Sequence, residues 1–272
     1  VRRVPVDIEA GAPGGYYQSP ALDGSRPGLY YINLRDTAEW PSWTLPTLSY
    51  HEATPGHHHQ IALQQEAEDQ PYFRRQANVT AFTEGWGLYS EYLGEEMGLY
   101  DTPEKMMGRL SYEMWRACRL VIDTGVHAKG WTRDQALAYL RDNTALSEHE
   151  VTTEVDRYIS WPGQALSYKL GEIEIWKLRR QAESELGDAF ELKAFHDFVL
   201  QQGSVPLPLL ETCRLLGAPP AATLMVGDSS NDAQAAHAAG CPVVLMTYGY
   251  NHGQPITAVE ARAHLDSLEQ LV

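Results

Sequence analysis

The chain has 272 residues, of which 43% are hydrophobic and 21% are charged, and this near-average composition excludes a chain that is disordered throughout. Acidic side chains outnumber basic ones by 36 to 21, and the net charge of −15 argues against nucleic acid or an anionic membrane as the main partner. The three cysteines form no C-x-x-C pair, so neither a disulfide framework nor a cysteine-bound zinc ion is expected.

The N-terminal stretch, up to about residue 46, is rich in Gly and Pro and is predicted to be mostly loop. The exception is Gly28–Leu34, an aromatic and β-branched run that predicts a short strand. We expect the edge of this strand to be able to pair with an extended substrate. A helical pattern then begins near Leu45 and continues to Ala67, with a break at Pro55-Gly56.

Helical periodicity and capping signals predict the elements that follow. Thr132 and Ser147 each open a capping box, because a Gln or Glu follows three residues later. Gly187 and Gly203 are typical helix terminators. The predicted helices are Ala77–Met97, Pro103–Ile122, one from each capping box, Gly163–Glu185 and Asp188–Gln202.

The composition changes near residue 205, after which Trp and Lys no longer occur. Ala222–Val226 and Pro242–Met246 predict two short buried strands, and Asn231–Ala239 predicts a helix between them that ends at Gly240. A strand, a helix and a strand in about 25 residues indicate one crossover of a parallel sheet. The expected fold is therefore mainly α, with a short β-strand near the N-terminus and an α/β segment at the C-terminus.

The strongest chemical signal is the histidine-rich run that begins with His51 and Glu52. A zincin helix uses H-E-x-x-H because residues four apart share a face, so that two imidazoles meet one zinc and the Glu reaches its water. Here position 55 is proline, which leaves two candidates for the second ligand. His57 is six residues from His51 and needs a bulged turn at the Pro-Gly pair, whereas His58 is seven residues away and shares the face without one.

A third ligand is expected from Thr83–Glu91, where Glu84 and Glu91 lie seven residues apart and share one helix face. A carboxylate among aromatic side chains is costly to bury unless it is paired or bound to a metal. We prefer Glu84 as the ligand and Glu91 as the neighbour that orients a histidine ring. From residue chemistry alone, a solvated histidine patch and an exposed glutamate stripe explain the same pattern equally well.

These motifs resemble those of the bacterial family called domain of unknown function 885. Its members look like helical, gluzincin-type zinc metallopeptidases, and they are much longer, so that this chain is expected to hold the C-terminal, catalytic half. The resemblance implies Glu52 as general base and a zinc ion bound by His51, His57 and Glu84. It covers about residues 1–206 and rests on His51–His58, Thr83–Glu91, Asp123–His127 and Glu154–Lys169.

The implied reaction is zinc-dependent hydrolysis of a peptide bond by a metal-activated water. Zinc lowers the pKa of the water toward about 7, and Glu52 accepts its proton and later protonates the leaving amine. The developing oxyanion needs a further donor. Tyr168 is the first candidate, and His127 and Arg157 follow. Tyr168 and Arg157 each have an equally strong structural alternative, which is packing against Trp161 for Tyr168 and pairing with a nearby acid for Arg157.

The C-terminal segment resembles a second family, the phosphoglycolate phosphatases of the haloacid-dehalogenase superfamily. The resemblance implies Asp228 and Asp232 as magnesium ligands beside a nucleophilic aspartate. The D-x-D nucleophile loop is absent, because no two aspartates are two residues apart, and the last lysine, Lys193, belongs to the helical part. We therefore expect the magnesium site to be vestigial. The resemblance rests on Val226–Asp232, Ala235–Val243 and Thr247–Gly253.

Two regions are predicted, a helical metallopeptidase-like region over 1–206 and a partial phosphatase-like segment over 207–272, joined near Ser204–Glu211. A joining of two gene fragments explains this arrangement better than a purposeful two-domain enzyme. The leading function is peptide hydrolysis with zinc, and the alternatives are a magnesium-dependent phosphatase and an inactive hybrid. The C-terminal segment is expected to be partly ordered or docked on the helical part.

The expected partner is a peptide substrate, with no nucleic acid and no membrane. No apolar run reaches the ~18 residues that a membrane helix needs, and no signal peptide is visible. A cytoplasmic location is therefore the default expectation, although the chain does not begin with Met and its natural N-terminus can lie upstream. The pattern leaves open whether cleavage is terminal or internal.

Overall fold

The computed structural model describes residues 1–68, 70–208, 210, 224–249 and 253–271. The chain divides into two compact units, one formed by Val1–Ala62 with Thr80–Gly187 and the other by Leu63–Val79 with Asp188–Val272. Helices dominate the described residues, and a small parallel sheet lies near the C-terminus. The predicted fold class, mainly α with a C-terminal α/β segment, is confirmed. Among the described residues, no helix is both long and apolar enough to cross a bilayer.

The first unit begins with a three-stranded sheet of β1 (Arg2–Arg3), β2 (Gly15–Gln18) and β3 (Leu29–Ile32). The strand order is β1-β3-β2, with β1 parallel and β2 antiparallel to β3. The predicted strand is β3, but it lies in the middle of the sheet. The expectation that its edge pairs with a substrate is therefore wrong, since both edges are occupied. The sequence missed β1 and β2 because one has two residues and the other follows a Gly-Ala-Pro-Gly loop.

Helices form the rest of the first unit, and their ends follow local signals. The boxes at Thr132 and Ser147 are both present, since each side chain accepts from the backbone amide three residues later. The helix predicted to end at Ile122 runs on to Lys129 and stops at Gly130, whose φ of 71° favours glycine. The helices of this unit are α1 (Leu45–Glu52), α2 (His57–Glu66, which continues into the second unit), α4 (Thr80–Glu96), α5 (Pro103–Lys129), α6 (Arg133–Asn143), α7 (Glu148–Ser160) and α8 (Gln164–Leu186).

The core of the first unit lies between α5, α6 and α7, where apolar side chains such as Ile122, Leu140 and Val155 are fully buried. On another side, α4 packs closely against α8. The approach is so close that a Cβ on Gly171 would lie 1.9 Å from the carbonyl oxygen of Ala81. This contact holds the helix that carries Glu84 firmly in place.

The second unit contains α3 (Tyr72–Gln76), α9 (Leu192–Gln201) and the α/β segment. That segment consists of β4 (Met225–Gly227), α10 (Ser230–Ala239), β5 (Val243–Met246) and β6 (Ala263–Leu265), and its strands are parallel in the order β4-β5-β6. The predicted strand–helix–strand crossover is thus confirmed, whereas β6 was not predicted. Of the two strands expected to be buried, β5 is buried but β4 is not, since Val226 is exposed. Ala222 and Thr223 lie outside the described residues, as does part of the predicted junction.

Hydrogen bonds tie the sequence-distant stretches of the second unit together. The amide nitrogen of the Gln64 side chain donates to the carbonyls of Arg74 and Ala77, at 2.9 and 2.7 Å. Its oxygen accepts from the backbone amide of Ser204 at 3.1 Å. Gly240, at the end of α10, lies so close to Arg74 that a Cβ there would be 3.1 Å from that side chain. The α/β segment is therefore packed against α3.

Candidate metal centre

His51 and His57 lie on two consecutive helices that meet at a tight turn. The helix α1 ends at Glu52 and α2 begins at His57, and the Thr54–Pro55 peptide between them is cis. The two imidazole rings are 4.5 Å apart between centroids and nearly perpendicular, at 83°. Instead of a bulge within one helix, the chain thus uses a break between two helices to bring the rings together.

The turn is anchored to α4, the helix that carries the third side chain of the cluster. The indole nitrogen of Trp86 donates to the carbonyl of Pro55 at 2.8 Å. Gly56 lets the chain turn this closely, because a Cβ there would lie 1.9 Å from the carbonyl oxygen of His51. One turn along α4 from the cluster, a Cβ on Gly87 would lie 2.6 Å from Cε1 of the His51 ring. Only glycine leaves space for that imidazole.

Glu84 completes the cluster. Its Oε2 atom lies 3.4 Å from Nε2 of His51 and 3.2 Å from Nε2 of His57. The three ligand atoms lie within 4.8 Å of one another, and among the described residues this is the group of three that can hold a metal ion. Two imidazole nitrogens and one carboxylate oxygen are a typical zinc donor set that leaves a fourth position open.

Glu91 lies on the far side of the His51 ring. Its Oε1 atom accepts a hydrogen bond from Nδ1 of His51 at 2.8 Å and is 3.1 Å from Nη2 of Arg116. Because Nδ1 donates, Nε2 of a neutral His51 presents its lone pair to Glu84. Two acceptors then face each other, which is unfavourable unless a cation lies between them. The side chains present therefore fit a metal ion.

The charges around His51 lead to the same conclusion. Burial alone would lower the pKa of His51, but hydrogen bonds to Glu84 and Glu91 raise it to about 9. Burial would likewise raise the pKa of Glu84, yet the neighbouring His57 and His51 hold it well below its usual range. The two carboxylates thus require a positive charge at this position, which a proton or a metal ion can supply.

A small cavity of about 40 Å³ lies beside the cluster and brings further predicted residues together. Glu52, Arg157 and Tyr168 all line it together with His51. The ring of Tyr168 stacks on that of His51, with centroids 6.0 Å apart and an angle of 22°. Its hydroxyl accepts from Gln164 at 3.3 Å and from Arg157 at 3.4 Å, so that its own proton is left for an acceptor in the cavity.

The sequence missed two arginines that support this site. Arg116 and Arg119 are buried on α5 and also line the cavity. Arg116 pairs with Glu91, and Arg119 pairs with Glu154 at 2.6 Å. The only available signal was the position of two arginines on the apolar face of a helix, three residues apart beside Trp115.

Two predicted residues are not brought to the cluster. His58 is exposed, and its Nδ1 atom lies 3.0 Å from the hydroxyl of Tyr17. The seven-residue spacing that favoured it assumes an unbroken helix, and the helix breaks after Glu52. His127 does not line the cavity, because its Nε2 atom donates to the carbonyl of Tyr158 at 2.8 Å.

The candidate magnesium residues of the second unit lie at the start of α10. One oxygen of Asp232 accepts from the backbone amides of Asp228 and Ser229, at 2.9 and 3.0 Å, and from the Ser229 hydroxyl at 2.8 Å. This is a capping box, in which the carboxylate stabilises the helix start. Asp228 is exposed and, within the described chain, does not join a group of three metal-binding side chains.

Comparison with known proteins confirms both resemblances. The family model for bacterial proteins of unknown function, DUF885, matches residues 1–213, and a HAD-hydrolase-like model matches residues 205–271. A similar curated relative is the phosphoglycolate phosphatase of Thiobacillus denitrificans, 47% identical over 85 residues, which are 31% of this chain and 37% of the relative.

Two solved structures resemble this chain, and both are described as candidate lipoproteins. The one from Colwellia psychrerythraea is 51% identical, with a TM-score of 0.78, and the match covers 79% of this chain and 37% of that one. The protein of unknown function from Shewanella oneidensis is 27% identical, with a TM-score of 0.66, over 75% of this chain and 39% of its own. The chain thus spans less than half the length of these relatives. Because the first family model matches most of its residues, the chain belongs to the bacterial family DUF885.

Proposed function

We propose that the chain is a zinc-binding part of a metallopeptidase that hydrolyses peptide bonds. The observation that supports this most directly is the convergence of Nε2 of His51 and Nε2 of His57 on Oε2 of Glu84. The contact of Glu91 with Nδ1 of His51 supports it further, because such a partner selects the tautomer that binds a metal.

The side chains around the cluster supply the rest of the chemistry. When bound, zinc acts as a Lewis acid that polarises a peptide carbonyl and lowers the pKa of water. The carboxylate of Glu52, buried next to His51, accepts the proton of the attacking water and returns it to the leaving amine. The hydroxyl of Tyr168, whose proton is not used by Gln164 or Arg157, donates to the developing oxyanion.

The second candidate function is a magnesium-dependent phosphatase, which the 47% identity of the C-terminal segment to a phosphoglycolate phosphatase favours. Against it, the chain has no D-x-D nucleophile loop and no lysine after Lys193. Without a nucleophile, no residue can accept the phosphoryl group from the substrate. Asp228 and Asp232 alone therefore cannot carry out covalent phosphoryl transfer. We therefore propose that the segment has no phosphatase activity, and the inactive hybrid remains the alternative for the whole chain.

Metal analysis of the purified chain, combined with peptide hydrolysis, tests the proposal. We expect one zinc per chain, loss of zinc in Glu84→Gln, and retention of zinc in Glu52→Gln with hydrolysis reduced by ~10² or more. Glu148→Gln, at an exposed position on α7, is the matched control and should change neither quantity. Zinc that stays bound in Glu84→Gln, or full activity in Glu52→Gln, would contradict the proposal. Phosphate release from phosphoglycolate with magnesium would instead support the phosphatase.

A further inference from the structure

Two arginines share one carboxylate at the wall of the cavity beside the metal cluster. Nη2 of Arg119, on α5, lies 2.6 Å from Oε2 of Glu154. Nη1 of Arg157, on α7, lies 3.5 Å from the other oxygen of the same carboxylate. Arg119 is fully buried, whereas 25% of the Arg157 side chain is exposed. Glu154 therefore pairs mainly with Arg119, and it balances the positive charge of Arg157 only weakly.

The other contacts of Arg157 do not supply a negative charge. Its Nη2 atom donates to the hydroxyl of Tyr168 over a long 3.4 Å, and its guanidinium lies 5.4 Å from the centre of the Trp161 ring. Within the part of the chain that the structure describes, Glu154 is the only carboxylate within 4 Å of it. A half-buried guanidinium with donors left over is suited to bind an anion.

The remaining carboxylates of the site are committed elsewhere. Glu91 bonds with His51 and Arg116, and Glu84 faces the two histidine rings. Glu52 has to remain free to carry a proton. The cavity is lined by three arginines, Arg116, Arg119 and Arg157, and by two carboxylates, Glu52 and Glu154, so that Arg157 is available to an anion from outside the chain.

The position of Arg157 limits what that group can be. Arg157 contacts Tyr168, and the Tyr168 ring stacks on His51, so that a single side chain separates the guanidinium from the cluster. The cavity of about 40 Å³ has room for a small anionic group but not for a large side chain. A guanidinium binds a carboxylate through two parallel hydrogen bonds, and a carboxylate is the common anion of peptides.

We propose that Arg157 is a specificity-determining residue that binds a carboxylate of the peptide substrate, close to the bond that is cleaved. The inference rests on the proposed peptidase function and adds a substrate class to it. The carboxylate comes either from the C-terminus of the peptide or from an acidic side chain, and the chemistry at Arg157 is the same in both cases.

Calorimetric binding of three peptides to the metal-free full chain tests this without any hydrolysis. The probes are N-acetyl-trialanine with a free carboxylate, the same peptide as its amide, and N-acetyl-Ala-Asp-Ala amide. We expect at least one of the two anionic peptides to bind ~10-fold more tightly or better than the neutral amide. Arg157→Gln should remove this preference, so that the anionic peptides bind no more tightly than the neutral amide. Arg141→Gln, the same change at an exposed position, is the control and should keep the preference.

Each outcome decides the inference. Preference for the free carboxylate alone indicates a C-terminal carboxylate, preference for the aspartyl peptide alone indicates an acidic side chain, and either supports the proposal. Equal binding of all three peptides to the unchanged chain overturns it, even if Arg157→Gln fails to fold. An equal loss for all three peptides in a folded Arg157→Gln chain also overturns it.

The two proposals can fail separately. If the chain binds zinc and cleaves peptides but does not prefer a carboxylate, the proposed function is supported and this inference is wrong. If the chain binds no zinc but distinguishes anionic from neutral peptides through Arg157, this inference is supported and the proposed peptidase function is wrong.

Discussion

The imidazole of His51 and the carboxylate of Glu91 are joined by a 2.8 Å hydrogen bond from Nδ1 to Oε1, and only 3% and 1% of the two side chains are exposed. The same oxygen of Glu91 also lies 3.1 Å from Arg116. A buried, negatively charged partner holds the ring in one orientation and makes Nε2 more basic. We therefore expect the affinity of the cluster for a metal to depend on Glu91, a residue that does not face the proposed metal position.

Glu91→Gln tests this relationship. Glutamine has the same shape and can still accept from Nδ1, but it removes the negative charge. We expect the dissociation constant for zinc to rise ~10- to 100-fold. Competition with a chromophoric chelator measures it, and Glu148→Gln is the control. A dissociation constant equal to that of the unchanged chain would show that Glu91 does not tune the site.

Gly87→Ala tests the space that the His51 ring occupies. An added Cβ would lie 2.6 Å from Cε1 of the ring, so that the imidazole has to move. We expect weaker zinc binding and a free energy of unfolding lower by ~1–3 kcal/mol. Gly11→Ala is the matched control, since its Cβ would meet nothing within 4 Å. Zinc affinity and a thermal midpoint that match those of the control would refute the steric argument.

Glu150 gives the first unit a dependence on pH. Burial, with a contribution from the charge of Glu154, raises the pKa of Glu150 to about 7, above the ordinary value of 4.5. The folded state therefore binds a proton that the unfolded state has released, and stability is lost as the pH rises from 4.5 to 7. The loss amounts to about 3 kcal/mol.

Glu150→Gln should remove this dependence, because Gln also completes the capping box with Ser147 but carries no charge. We expect the variant to unfold at a higher temperature than the unchanged chain at pH 8, and at a similar one near pH 5. Glu148→Gln, in the same helical turn but exposed, should follow the unchanged chain. If the difference in melting temperature between pH 5 and pH 8 is the same for all three proteins, Glu150 is not the source of the pH dependence.

Substitution of Asp232 distinguishes a structural role of this carboxylate from a role in magnesium binding. Its carboxylate caps α10, so that Asp232→Ala should destabilise the α/β segment by ~1–2 kcal/mol with or without magnesium. Asp228→Ala, at an exposed neighbouring position, should have little effect. Hydrogen exchange of the α10 amides measures both. Protection that rises on addition of magnesium and is lost in both variants would instead indicate a functional ion site.

Features of the fold with a local signal were predictable from the sequence. The boxes at Thr132 and Ser147 and the glycine at position 240 mark helix ends, because each acts within one turn. The end of α5 was predicted at Ile122, but the helix continues to Lys129 and is capped by Gly130. The strands β1 and β6 are only two and three residues long and depend on pairing with distant segments.

The same limit applies to the candidate site. The family resemblance pointed to His51, His57 and Glu84 as one cluster, whereas the spacing of the histidines left His58 as an alternative to His57. The roles of Arg116 and Arg119 did not follow from spacing, since each pairs with a carboxylate on another helix, 25 and 35 positions away along the chain. Such pairs become visible only when the helices are packed.

The bonds of Gln64 to Arg74, Ala77 and Ser204 have a practical consequence for anyone who wishes to separate the two family regions. A shortened protein that ends before Ser204 would strip the Gln64 carboxamide of an internal partner and would also lack Leu210, whose side chain is fully buried. A truncation placed beyond that leucine keeps both, and should give the better-behaved sample for crystallisation.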